Sequence, residues 1–212
     1  RLAYNQAPEL AYWWLDGYFD FNDQQAPLAR ASLAEWFGWH RGTQLDDYAG
    51  MLARLQRQLQ ADATPEQACR WWGELRQRAA VAYEQGVPAL AELVRTLKTE
   101  QVAHVEKRYH KSDEDFRADF MQATPAERLE ASIKRTFSRA ETLYGQLDDA
   151  QRAIIARTLA GSPFDSQRWL AERQARQREI VQTLRGLVAD RADSARTQAA
   201  LRVFAAHASV SP

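Results

Sequence analysis

Four breaks between the chain's apolar runs set a hydroxyl, carboxylate or amide residue three positions before Gln or Glu. They are Asn22 and Gln25 in FNDQQ, Thr64 and Gln67 in ATPEQ, Thr124 and Glu127 in ATPAE, and Asp148 and Gln151 in LDDAQ. At this spacing each side chain satisfies the other residue's unpaired backbone N–H, so each segment marks a helix start. Pro65 and Pro125 fall on the first helical residue, where a missing donor costs nothing. LKTEQ, at 97–101, repeats the pattern with Lys98 in the capping position, which has no acceptor and caps less well.

Between these marks the apolar residues recur at helical steps. Leu45, Tyr48, Leu52, Leu55 and Leu59 make one stripe over 44–60. The segment 23–60 carries Gly38 and Gly42, and Thr43 with Asp46 offers a restart, so it reads as one bent helix or two in tandem. A helix over about 65–84 is expected to bury Cys69, Trp72, Leu75 and Ala79. It should end at EQGVP, with Gly86 in a left-handed cap and Pro88 opening a short helix over 88–96. Val102, Val105, Tyr109, Phe116 and Phe120 mark 99–121, and Leu129, Ile133, Phe137 and Leu143 or Tyr144 mark 125–145. GQLDD turns the chain, 149–160 is short, and AGSPFD breaks it again. A last helix over 164–207 would be roughly 60 Å long at 1.5 Å per residue, with a fraying tail at ASVSP. No segment alternates with period two. The expected fold is all-α: an elongated bundle of about seven to eight helices with a long C-terminal helix. It is read as a single domain over 1–212, with sub-bundles at 1–96 and 97–207. The helix starts are unevenly spaced, which argues against a fixed-period solenoid.

Composition narrows the class of function. At 212 residues, 45% apolar and 26% charged, the chain is long enough for one substantial core. Its 28 basic and 28 acidic residues cancel, and the arginines are interleaved with acids, which leaves no electrostatic footprint for nucleic acid. No apolar run approaches the 18 residues of a transmembrane helix. The single cysteine, Cys69, forms no intramolecular disulfide and reads as a core thiol.

Half of the 22 aromatic residues stand in the first 48 positions. Tyr4, Tyr12, Trp13, Trp14, Tyr18, Phe19, Trp36, Trp39, His40 and Arg41 form the main candidate cluster, which either seals the core or meets a partner. Trp13 and Trp14 point about 100° apart on a helix, so at most one faces the core squarely. The segment lacks the Lys and Arg that would hold it to anionic lipid. A weaker polar cluster is Glu106, Arg108, His110 and Glu114. Glu106, His110 and Glu114 are four apart, the spacing of a metal site but also of ordinary ion pairs, and no second His or Cys stands at ligand spacing. No phosphate loop, zinc-finger spacing or nucleophile elbow is present, so no catalytic residue, metal or cofactor is assigned.

The blocks RLAYNQAPELAYWWLDGYFDFNDQQ, LAEWFGWHR and HVEKRYHKSDEDFRADF resemble a family of proteobacterial lipoproteins of unknown function. The likeness is carried by Leu2, Tyr4, Asn5, Leu10, Trp14, Tyr18, Asp20, Phe21, Gln25, Trp39, His40, Arg41, Glu106, Arg108 and Phe120. It implies a signal peptide and a lipid-modified cysteine upstream of Arg1, in keeping with a chain that does not begin at Met. That would place the folded part on the periplasmic side of the outer membrane, or soluble in the periplasm. It implies no catalytic residues. The function expected is that of a non-enzymatic lipoprotein that binds or scaffolds other envelope proteins. The alternatives are a chaperone-like module for unfolded clients and a cell-envelope enzyme in which His40 or His104 meets a carboxylate such as Asp20, Glu100 or Glu106.

Overall fold

A computed structural model describes residues 2–60 and 64–209, and the side chains of all of these but 2, 3 and 207–209; the last three residues of the tail expected to fray lie outside it. Every regular element among the described residues is helical. They run α1 (Leu2–Asn5), α2 (Ala7–Phe19), α3 (Gln25–Thr43), α4 (Leu45–Gln58), α5 (Pro65–Arg95), α6 (Thr99–Phe120), α7 (Pro125–Tyr144), α8 (Asp149–Ala160), α9 (Ser166–Ala189) and α10 (Ser194–Ser209). With α1 a single turn, nine longer helices replace the seven to eight expected.

The helix starts read from sequence are built as capping boxes at Thr64, Thr124 and Asp148. Asn22 and Gln25 exchange the same pair of bonds, each 3.1 Å. At Lys98 only half the box exists: its N–H donates to Gln101 Oε1 at 3.0 Å.

Three expectations are overturned. Segment 88–96 is no separate helix, because α5 runs unbroken through Pro88. Proline removes one donor and costs about 3 kcal/mol, and the burial of Val87, Ala91, Leu93 and Val94 on both sides of it offsets that. Gly86 takes no left-handed cap; the Trp36 indole lies against it, its Nε1 3.4 Å from where a Cβ would sit, and donates to Ala82 O at 2.9 Å. The long C-terminal helix is two helices. Ala192 N–H donates to Leu187 O at 3.0 Å and Arg191 N–H to Val188 O at 3.3 Å, around Arg191 at φ 48°. That is a Schellman stop with Leu187 and Ala192 both buried, after which the Asp193 carboxylate caps α10 through Arg196 N–H at 2.8 Å.

The chain divides into two compact units, Arg1–Val105 with Ile180–Pro212, and Glu106–Glu179, with the divisions falling inside α6 and α9. In the first unit α5 packs on α10 and α3, and α2 packs on α3. Tyr12, Ala29 and Leu93 form a buried cluster against Phe21, Ala26 and Leu33. Polar side chains join α4 to α5: Arg78 to Asp47 at 3.0 Å, Arg54 to Glu74 at 2.9 Å, and Trp71 Nε1 to Gln58 Oε1 at 2.6 Å. The inward stripe of α5 is therefore Trp71, Glu74 and Arg78, about 100° from the expected one. Cys69, Trp72, Leu75 and Ala79 are exposed, so Cys69 is not a core thiol.

The second unit has a thinner core. Phe116, Leu147 and Leu170 are its buried apolar residues among those described. Phe116 stacks on Phe120 at 4.6 Å and on Trp169 at 4.4 Å. Leu143 and Tyr144, expected on the inner stripe of α7, are exposed.

Candidate functional site

α2 is apolar on two sides. Tyr12 points into the core, under the Arg30 guanidinium at 3.6 Å from its ring centre, and Leu15 and Phe19 are half-buried on the same side. On the other side Leu10, Trp13 and Trp14 are 57%, 61% and 64% exposed. Residues i, i+3, i+4 and i+7 share one helix face, so Leu10, Trp13 and Trp14 form a continuous exposed stripe that ends at half-buried Gly17. Trp14 leans on half-buried Tyr18, ring centres 5.0 Å apart. Beside the stripe, and about a quarter turn round, lie Glu9 and Asp16, and exposed Asp20 follows α2 as its left-handed cap residue at φ 51°. Glu9 pairs with Arg30, and one Asp16 oxygen accepts from Phe21 N–H at 3.0 Å. α2 itself carries no Lys or Arg.

The second half of the cluster is a ring nest around His40. Its imidazole stacks on Trp36 at 5.0 Å and on Tyr4 at 6.0 Å, with Tyr48 tilted at 5.5 Å and Trp39 edge-on at 6.2 Å. Tyr4 Oη meets His40 Nδ1 at 2.7 Å, and Arg41 sits 5.1 Å over the Tyr4 ring while donating to Asn5 Oδ1 at 2.8 Å. Burial lowers the His40 pKa from its ordinary 6.5. Burial also raises that of Tyr4, partly opposed by Arg41 and reinforced by Tyr48. At neutral pH the contact is therefore a phenol on a neutral imidazole. It fastens the N-terminal turn to α3 and provides no ion pair that would make a strong base.

The structure thus separates the aromatic candidates. Tyr12, Tyr4, Trp36, His40 and Arg41 hold elements together, Trp39 is half-buried against Trp36 and His40 of its own helix, Tyr18 and Phe19 are half-buried, and Trp13 with Trp14 faces outward. His104, the other candidate base, has Nε2 3.2 Å from Gly17 O. A carbonyl only accepts, so Nε2 carries the proton and α2 is anchored by it.

Sequence reasoning missed the joint that fixes α2. Gln25 and Gln101, the third residues of two predicted helix starts, are buried and meet amide to amide at 2.8 and 3.0 Å. Gln101 Nε2 also reaches Phe19 O at 2.8 Å and Asp20 O at 3.0 Å, while Gln25 Nε2 reaches Thr96 O at 2.8 Å. One amide pair so binds the ends of α2 and α5 to the starts of α3 and α6. The signal was present in FNDQQ and LKTEQ, but nothing in one sequence says that two caps face each other.

Of the polar cluster, Glu106 is half-buried and Arg108, His110 and Glu114 are exposed along α6. No group of three or more His, Cys, Asp or Glu that could hold a metal stands together among the described residues. The buried carboxylate of this unit is instead Asp113, which accepts from Gln174 Nε2 at 2.9 Å and Gln177 Nε2 at 3.1 Å. Arg173 Nε lies 3.1 Å from it as an ion pair too bent to be a hydrogen bond.

A family model described as Family of unknown function (DUF6279) matches residues 17–202. No curated protein and no solved structure matches the chain. No helix among the described residues is long and apolar enough to cross a membrane.

Proposed function

The chain belongs to that family of unknown function, and we propose that it is a non-enzymatic binding or scaffolding protein of the cell envelope that receives a protein partner on the outer face of α2. The observation that carries the reading is the Trp13–Trp14 pair. Two adjacent indoles stay in water with Leu10 beside them, on a helix whose opposite face is packed and whose last carbonyls are hydrogen-bonded. Exposed contiguous aromatic surface of this kind marks contact sites, and Trp is the residue that most often dominates them. The envelope location, with a lipid anchor on a cysteine upstream of Arg1, is supported by the resemblance of the opening block to lipoproteins. Several acyl chains would then hold the body at the outer membrane, since one chain alone binds reversibly.

A photo-crosslinking residue at position 13 or 14 of the anchored protein in cells should give a discrete adduct with an envelope protein, and one at exposed Arg157 should not. The same pattern from both places, or no adduct, would refute the surface. Absence of labelled fatty acid on the expressed precursor would refute the anchor.

One feature favours a second reading, a chaperone-like module. Leu52 on α4, Leu59 just past its end, and Trp72 and Leu75 on α5 are all exposed. That reading requires near-stoichiometric suppression of the aggregation of an unfolded model protein, and it fails if Trp72→Ser/Leu75→Ser leaves any suppression unchanged.

A further inference from the structure

On the reading that α2 is a contact surface, we infer that its partner is a cationic amphipathic helix. Its apolar side chains would cover Leu10, Trp13 and Trp14, and its Lys or Arg side chains would meet Asp16 and Asp20. Charge complementarity selects this occupant. The exposed stripe is bordered by Glu9, Asp16 and Asp20, against which the neighbouring helix α3 sets one guanidinium, Arg30, already spent on Glu9. Asp20 is exposed and Asp16 keeps one oxygen free of the Phe21 bond. A cation close to this rim gains from both carboxylates and from the faces of the two indoles. An anionic lipid surface would be repelled by the same rim.

Size and spacing agree with a helix as the occupant. The exposed parts of Leu10, Trp13 and Trp14 come to on the order of 400 Å², about half of what one partner contributes to a standard interface. That suits a single helix laid along α2, with these residues as the central anchors and the carboxylates as the rim. Glu9 lies seven residues before Asp16, about 10 Å back along the axis, and Asp20 stands at the left-handed cap that ends α2. A partner carrying two basic residues one turn apart, at i and i+4, can reach Asp16 and Asp20, while Glu9 is already held by Arg30.

The test uses the full chain and a fluorescein-labelled helical peptide of Leu and Lys with that basic spacing. Its controls are a Leu and Glu peptide of the same pattern and vesicles of phosphatidylcholine with and without phosphatidylglycerol. The expected result is saturable one-to-one binding of the Lys peptide alone. It should weaken at least tenfold in Trp13→Ala/Trp14→Ala and in Asp16→Asn/Asp20→Asn, and stay unchanged in Glu130→Gln/Asp149→Asn. Equal weakening by the remote pair would show general charge attraction and overturn the inference. So would indifference to the tryptophans. Trp-dependent binding of the Glu peptide or of the vesicles would overturn the cationic helix while leaving α2 as a contact surface. No Trp-dependent binding of any probe, together with no adduct from positions 13 and 14 in cells, would remove both readings.

Discussion

Replacing Gln101 with Glu keeps the shape of the buried amide and reverses what one of its atoms does. Nε2 lies within 2.8 Å of Phe19 O, 3.0 Å of Asp20 O and 2.8 Å of Gln25 Oε1. All three are acceptors, so an ionised carboxylate there loses these bonds and faces three oxygens. A net ~1 kcal/mol per lost bond, together with an unpaired buried charge, puts the cost at ~3 kcal/mol or more at pH 7. Protonation restores one donor, so the folded protein favours the acid form and the folded pKa is raised above the unfolded value of about 4.3. The group's contribution is then fully present below about 4.3 and is lost as pH rises through the folded value. Urea unfolding followed by tryptophan fluorescence reads this joint well, since Trp13, Trp14, Trp36, Trp39, Trp71 and Trp72 are in the first unit and only Trp169 is in the second. The stability gap between Gln101→Glu and the parent should be wide at pH 7 and narrow on acidification. In a double-mutant cycle, Gln25→Ala and Gln101→Ala should couple by ~1–2 kcal/mol. A Glu variant that unfolds with the parent at pH 7, or a gap that ignores pH, would refute the joint.

The other expectations follow from burial. Tyr12→Ala should cost ~3–5 kcal/mol and Trp13→Ala/Trp14→Ala less than about 1 kcal/mol in the same urea titration; comparable losses would mean that the tryptophans belong to the core. Asp113→Ala leaves Gln174, Gln177 and Arg173 facing a vacancy and should cost ~2–4 kcal/mol, measured as lost amide protection confined to the second unit; unchanged protection there would count against it. Because burial lowers the His40 pKa, its contribution to stability is present above about 6.5 and declines as pH falls through the folded value, where the imidazole must charge. His40→Phe should flatten that part of the pH profile relative to the parent, and an identical slope in both would deny His40 the role.

Helix starts were legible because a capping box is local: Thr64, Thr124 and Asp148 carry in four residues everything the geometry needs. Two helix ends, at Gly145 and Gly161, were legible as well, but the one inside the long C-terminal segment was not. The stop at Arg191 uses a non-glycine residue in the left-handed region and is held by burial of Leu187 and Ala192, a tertiary condition. The reverse error at Pro88 has the same source, since packing along α5 overrode a strong local breaker. For the site, sequence named the aromatic helix and noted that Trp13 and Trp14 diverge. It had no means to show that neither turns inward, because Tyr12 already fills the core position and Arg30 closes over it.

A helix that only plugged a core would need its inner face and little else, yet α2 is secured at points that do not involve burial of its rings. Gln101 holds the carbonyls of Phe19 and Asp20, His104 holds that of Gly17, and Arg30 spans from Glu9 to the Tyr12 ring. These contacts fix the axial position and rotation of the helix, and so fix where Trp13 and Trp14 stand. Ordering entropy is one of the main costs of association. A helix already held by such contacts has less backbone freedom to lose, and indoles have just two side-chain torsions to order. On the proposed binding role the Gln25–Gln101 joint and the outward tryptophans would act together, and the two kinds of variant should separate: Gln101→Glu should weaken binding through loss of the fold, whereas Trp13→Ala/Trp14→Ala should remove binding from a protein that unfolds at nearly the parent's urea midpoint.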